Sequence, residues 1–182
     1  LKIAKTELDG LLLVQPSVFR DERGYFFESW SRERYGQGGI ETDFVQDNVS
    51  FSSRGVLRGM HFQNPVPQAK LVSVLQGAVF DVAVDLRRAS PTFARWFGVE
   101  LSAENNRQLY IPEGFAHGFV VLSDTAIFSY RCSGYYSPAQ ERSLRWDDPE
   151  IGIRWPVGEV MVSPRDADAP LLADIPEAHL FG

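Results

Sequence analysis

A single cysteine, Cys132, stands in 182 residues, so no disulfide can form within the chain, and that scarcity fits a reducing cytoplasm. No apolar stretch approaches the roughly 20 residues that cross a bilayer as a helix, and the opening Leu1-Lys2-Ile3-Ala4-Lys5-Thr6-Glu7 does not read as a signal peptide. Blocks of like charge are also missing, and a net charge of -6 leaves no basic face for nucleic acid or an anionic membrane. Lysine is scarce: of 18 basic residues only Lys2, Lys5 and Lys70 are lysine, and the rest are arginine. Arginine is the better fork for phosphate oxygens, although a codon preference explains the same excess more simply.

Amphipathic helices are nearly absent as well. Only 31–37, 147–151 and 173–179 can make a helical turn or two, and none sustains a period of about 3.6 residues. Instead, short β-branched and aromatic runs recur at 11–15, 25–29, 43–49, 56–63, 70–76, 79–86, 95–102, 107–111, 117–122 and 125–131. Turn chemistry separates them, as in Gln76-Gly77, Pro112-Glu113-Gly114 and Ser123-Asp124. The clearest alternation is Val79–Leu86: Phe80, Val82, Val84 and Leu86 share one face, and Asp81, Ala83 and Asp85 share the other. So many strands with no helix to cover them bury a face each by packing as two sheets or a closed barrel, with a pocket between. Hydrophobic residues at 44% and the absence of a linker predict one domain over 1–182.

Nucleotide-loop, zincin and nucleophile-elbow patterns do not occur. A His-x-His pair is absent too: Phe62 and Gln63 follow His61, so the reading predicts no metal and no cofactor. His61 reads either as a satisfied core histidine or as a pocket base. His117 sits among small neighbours after a Pro-Gly turn, which leaves space around its ring, and His179 reads as surface. Lys70 shares a strand face with Val72 and Val74. Its ammonium is therefore either a buried cation that needs a partner or a head that snorkels to water. Tyr130, on one face with Ala126 and Phe128, carries the same ambiguity.

Several segments in order resemble the dTDP-4-dehydrorhamnose 3,5-epimerase family. They are Asp21-Glu22-Arg23-Gly24-Tyr25-Phe26-Phe27-Glu28, Gln46-Asp47-Asn48, Arg58-Gly59-Met60-His61-Phe62-Gln63, Gln68-Ala69-Lys70-Leu71-Val72, Gly77 to Arg87, Ser90-Pro91-Thr92-Phe93, Ile111 to Phe119 and Ser163-Pro164-Arg165-Asp166. The resemblance implies an all-β double-stranded β-helix, the cupin jelly roll, with a few short peripheral helices. It also implies a metal-independent epimerase that inverts carbons 3 and 5 of a dTDP-linked 4-keto sugar.

By resemblance His61 is the base, Asp166 the carboxylate that orients it, Lys70 the cation beside the enolate oxygen and Tyr130 the acid on the opposite face. Arg23, Glu28, Gln46, Asn48, Arg58, His117, Glu141 and Arg165 are implied contacts to nucleotide, diphosphate and sugar, and Tyr136 stacks on the base. A homodimer with exchanged N-terminal strands is also implied, in which Arg23 and Glu28 reach the partner's pocket; a self-contained monomer is the alternative. Strict alternation puts Arg58 and His61 on opposite faces, and a bulge at Gly59 would reunite them. The sequence departs from common members at Ser73, Arg131, Gly134 and Arg165, which bears on sugar specificity. Two other functions remain open: a mono-epimerase acting at one carbon, and a sugar-nucleotide-binding cupin without catalysis.

Overall fold

The computed structural model describes residues Leu1–Gly182. In chain order the strands are β1 Lys2–Lys5, β2 Leu12–Gln15, β3 Phe19–Asp21, β4 Gly24–Phe26, β5 Gln46–Ser53, β6 Leu57–Gln63, β7 Lys70–Gln76, β8 Ala78–Asp85, β9 Trp96–Ser102, β10 Gln108–Ile111, β11 Phe115–Val121, β12 Thr125–Cys132 and β13 Glu141–Ser143. Two short helices, α1 Arg32–Gln37 and α2 Pro164–Ala167, accompany them. The strands form a six-stranded sheet in the order β1-β2-β10-β7-β12-β5 and a five-stranded sheet in the order β13-β6-β11-β8-β9. A separate hairpin pairs β3 with β4. All pairings between these strands are antiparallel, and the two large sheets face each other as a cupin-type jelly roll.

Between the sheets, Val72 and Val74 of β7 and Ala126 and Phe128 of β12 meet Val79, Ala83, Phe115, Phe119 and Val121 of the opposite sheet. The other face of β8 is buried too: Val82, Val84 and Leu86 pack with Leu144, Ile151, Leu172 and Ile175 of the C-terminal segment. The face of β8 that carries Asp81 and Ala83 is thus the one turned into the intersheet space. The C-terminal segment, which has almost no regular structure, covers the fully apolar face.

Several boundaries differ from the sequence reading. Residues 147–151 form turns rather than a helix, and 173–179 forms two 3₁₀ turns, Leu172–Asp174 and Glu177–His179. The strand expected over 25–29 stops at Phe26, while the one expected over 43–49 runs later, as Gln46–Ser53. Strands β1, β3 and β13 have too few alternating residues to be seen in isolation, and long-range pairing makes them strands. Helix α2 was also missed. It is one turn long, and only its capping pattern, Ser163 followed by Pro164, betrays it.

The bulge at Gly59 is present. His117 pairs with His61 and Phe119 with Arg58, so two steps along β11 match three along β6. The extra residue turns Arg58 and His61 to the same side. Glycine is required there: Gly59 has φ +137, and a Cβ would lie 2.5 Å from the Gly118 Cα. Gly118 matches it, since a Cβ there would meet the Arg58 carbonyl oxygen at 2.8 Å.

Candidate active site

Two adjoining cavities open between the sheets. One, of about 500 Å³, is lined by Arg58, His61, Lys70, His117, Tyr130, Arg165 and Asp166 together with apolar Phe119 and Phe128. The other, of about 300 Å³, is lined by Gln46, Asn48, Gln63, Gln68, Cys132, Tyr136 and Glu141. His61, Lys70 and Tyr130 border both. His61 comes from β6 in one sheet, and Lys70 and Tyr130 come from β7 and β12 in the other. The imidazole and the phenol therefore face the same space from opposite sheets.

His61 is held from 105 residues away. A parallel bridge from Val56 to Met161 and the bond from Leu57 N–H to the Met161 carbonyl lay the C-terminal segment beside β6. Ser163 then caps α2 by accepting from the Asp166 N–H at 3.1 Å, and Asp166 comes to lie 2.7 Å from His61 Nε2. An ionised carboxylate can only accept, so Nε2 carries the hydrogen and Nδ1 keeps the lone pair. Burial alone would raise the Asp166 carboxyl, but the His61 hydrogen bond and charge, helped by the Gly59 N–H and Ser163, hold it below its ordinary range.

Burial, reinforced by the neighbouring Cys132, pushes the Tyr130 phenol up, so it stays protonated at neutral pH and can give a proton. The Lys70 ammonium is pushed down by burial, with Cys132, Asp81 and Glu141 acting against that shift. Arg58 is anchored through its Nε, which donates to Ser52 Oγ at 2.9 Å. At the mouth, the Glu141 carboxylate accepts from the Tyr136 hydroxyl at 2.7 Å and pairs with Arg165 at 2.5 Å. Gln46 and Gln63 accept from the Tyr136 and Ser137 N–H groups at 3.0 and 2.8 Å, which clamps this loop over the smaller cavity.

Eleven of the thirteen residues singled out in the sequence thus line the two cavities. Arg23 and Glu28 do not. Arg23 pairs with Asp21 on the exposed β3–β4 hairpin, whose own shallow depression lies apart from both cavities, and Glu28 faces Arg34 at 3.5 Å. Sequence reasoning missed Gln63, Gln68 and Cys132 as lining residues, and it missed Asp81 altogether. Asp81 is fully buried and accepts from His117 Nε2 at 2.9 Å. The available signal was a carboxylate recurring on the less apolar face of β8. No group of three or more His, Cys, Asp or Glu is placed to hold a metal ion, and both cavity histidines commit Nε2 to a carboxylate.

The model of the dTDP-4-dehydrorhamnose 3,5-epimerase family matches residues 5–174. The chain belongs to this family. It is 51% identical over 176 residues to the dTDP-4-dehydrorhamnose 3,5-epimerase of Shigella flexneri, with 96% of this chain and 97% of that one covered. A crystal structure of a dTDP-6-deoxy-D-glucose-3,5-epimerase from Legionella pneumophila Philadelphia 1, in complex with dTDP-4-keto-L-rhamnose, superposes with a TM-score of 0.96. It is 52% identical and covers 99% of this chain and 97% of its own. A dTDP-4-dehydrorhamnose 3-epimerase of Streptomyces niveus is 41% identical over 183 residues, covering 100% of this chain and 88% of that one. Family membership thus includes enzymes named for one carbon as well as for two.

Proposed function

We propose that this chain inverts carbons 3 and 5 of dTDP-4-dehydro-6-deoxy-D-glucose, yielding dTDP-4-dehydro-L-rhamnose. The ketone at carbon 4 acidifies the C–H bonds on either side. In each step His61 Nδ1 takes the proton, the C–H electron pair moves into the C=C bond of an enolate, and the carbonyl electrons settle on oxygen 4. Lys70 neutralises that oxygen. Tyr130 then delivers a proton to the opposite face of the carbon as the carbonyl re-forms, and the two groups exchange protons with water to reset. Asp166 touches no substrate in this scheme; it keeps His61 in the Nε2–H tautomer and stabilises the imidazolium. Arg58 and Arg165 suit the diphosphate, His117 the sugar, and Gln46, Asn48, Glu141 and the Tyr136 ring the nucleoside.

The observation that carries the reading is that His61, on Asp166, and Tyr130 with Lys70 border one space from opposite sheets. In heavy water the wild type is expected to place deuterium at both carbons. His61→Ala should lower the exchange roughly 10²–10⁴-fold, the usual worth of a positioned base. Label at one carbon only would make the chain a mono-epimerase, and binding without label a non-catalytic cupin.

The same reading includes a homodimer whose exchanged N-terminal hairpins complete the nucleotide site. The β3–β4 hairpin supports it, since Phe19 and Phe26 are 66% and 70% exposed beside an Arg23 that lies outside its own cavities. Light scattering should give twice the mass of 20.5 kDa, and Arg23→Ala should raise KM with kcat nearly unchanged. A cytoplasmic setting suits the lone reduced Cys132.

A further inference from the structure

Three anions or potential anions face Lys70: the Cys132 thiol from β12, Glu141 from β13 and Asp81 from β8. Tyr130 from β12, His61 from β6, His117 from β11 and the two arginines Arg58 and Arg165 are the other titratable or charged groups around the same cavity, with Asp166 paired to His61. Burial raises the Cys132 thiol, so at neutral pH it carries no charge to offer. The Glu141 carboxylate is already spent on Arg165 and Tyr136. Asp81 is different. It is 0% exposed, one of its oxygens accepts from His117, and the other, Oδ1, has no hydrogen-bond partner at all. A proton on Oδ1 would find no acceptor, while an ionised Oδ1 is satisfied by a cation across the cavity. Lys70 meets no carboxylate at ion-pair distance.

We infer that Asp81 is a positioning residue for the epimerisation: its carboxylate balances the Lys70 ammonium across the cavity and locks His117 with Nε2–H turned inward and its Nδ1 left as an acceptor. The inference rests on the role proposed above for Lys70. Without Asp81, burial would act on Lys70 unopposed, and the cation would be lost at the pH where the enolate needs it. His117, stacked on Phe128 with ring centroids 6.0 Å apart, would be free to take either tautomer.

The test is direct because only three lysines exist, and Lys2 and Lys5 lie on an exposed strand. Nitrogen-15 NMR of the lysine ammonium groups follows Lys70 without any assay of activity. In Asp81→Asn its midpoint should fall by about one pH unit. The alkaline limb of kcat should move down with it, and kcat at pH 8 should drop about tenfold with KM within about twofold. A Lys70 midpoint that does not move overturns the inference, even if activity falls with stability. Failure of the wild type to exchange substrate protons would instead sink the epimerase reading and leave the lysine titration to judge Asp81. Should Asp81→Asn not fold, the wild-type His117 ring still decides: one Nε2–H tautomer persisting from about pH 6 to 9 supports the lock, and an Nδ1–H form or a mixture refutes it.

Discussion

Two histidine–aspartate pairs stand side by side in this fold, on residues that are cross-strand partners, and they differ in everything except composition. His61–Asp166 joins β6 to α2 across 105 residues at the edge of the cavity, with side chains 29% and 5% exposed. His117–Asp81 joins two adjacent strands of one sheet, with side chains 8% and 0% exposed. In the first pair hydrogen bonds outweigh burial, and the carboxyl is held below its ordinary range. In the second burial wins, pushing the Asp81 carboxyl up and the His117 imidazole down. The same two side chains make an accessible base in one place and a fixed, neutral ring in the other. Solvation, more than residue type, sets that division.

The largest effect that separates the pairs should come from Asp166→Asn. It keeps an acceptor for His61 but removes the charge that stabilises the imidazolium, so kcat should fall roughly 10²-fold or more. Single-turnover deuterium exchange would measure it, and a loss of less than a few-fold would mean that the first pair is no more catalytic than the second. Next comes Gly59→Ala, which strikes the glycine contact that sets His61 and His117 next to each other. With φ +137 and a Cβ 2.5 Å from the Gly118 Cα, the substitution should cost about 1–3 kcal/mol in urea unfolding and part Arg58 from His61. Full activity in a stable Gly59→Ala would dismiss the bulge as the device that assembles the site.

The smallest effect carries the sharpest sign. Asp166 has a depressed value, so its contribution to stability is present above the unfolded carboxyl value near 3.8 and is lost as pH falls through the folded one. Asp81 has a raised value, so its contribution is complete below 3.8 and is lost as pH rises through the folded value. The melting-temperature gap between wild type and Asp166→Asn should therefore shrink in acid. The gap to Asp81→Asn should grow in favour of the wild type as pH falls from neutrality toward 3.8. Gaps that move in the same direction would erase the contrast.

Much of this was legible in the chain. Alternation and turn residues give a sandwich of antiparallel strands, because a half-buried strand must repeat every second residue. The collinear segments placed His61, Lys70, Tyr130 and Asp166 in one site. Short-range signals failed where contacts are long-range: β13 exists only because β6 offers it an edge, and 147–151 has helix-forming residues but packs as turns under β8. Asp81 was overlooked for a related reason. The alternation of β8 says only that two faces differ, and an unmarked C-terminal segment happens to cover the apolar one.

By itself the sequence determined the strand count, the chemistry on offer and the need for glycine at 59, since period, side-chain type and backbone freedom are local properties. Which face of β8 looks into the cavity, which aspartate serves which histidine, and how far each pair is withdrawn from water were decided only by tertiary packing. Desolvation and hydrogen-bond partners belong to the whole fold, and residues 61 and 166 acquire their relation only once the sheets have closed.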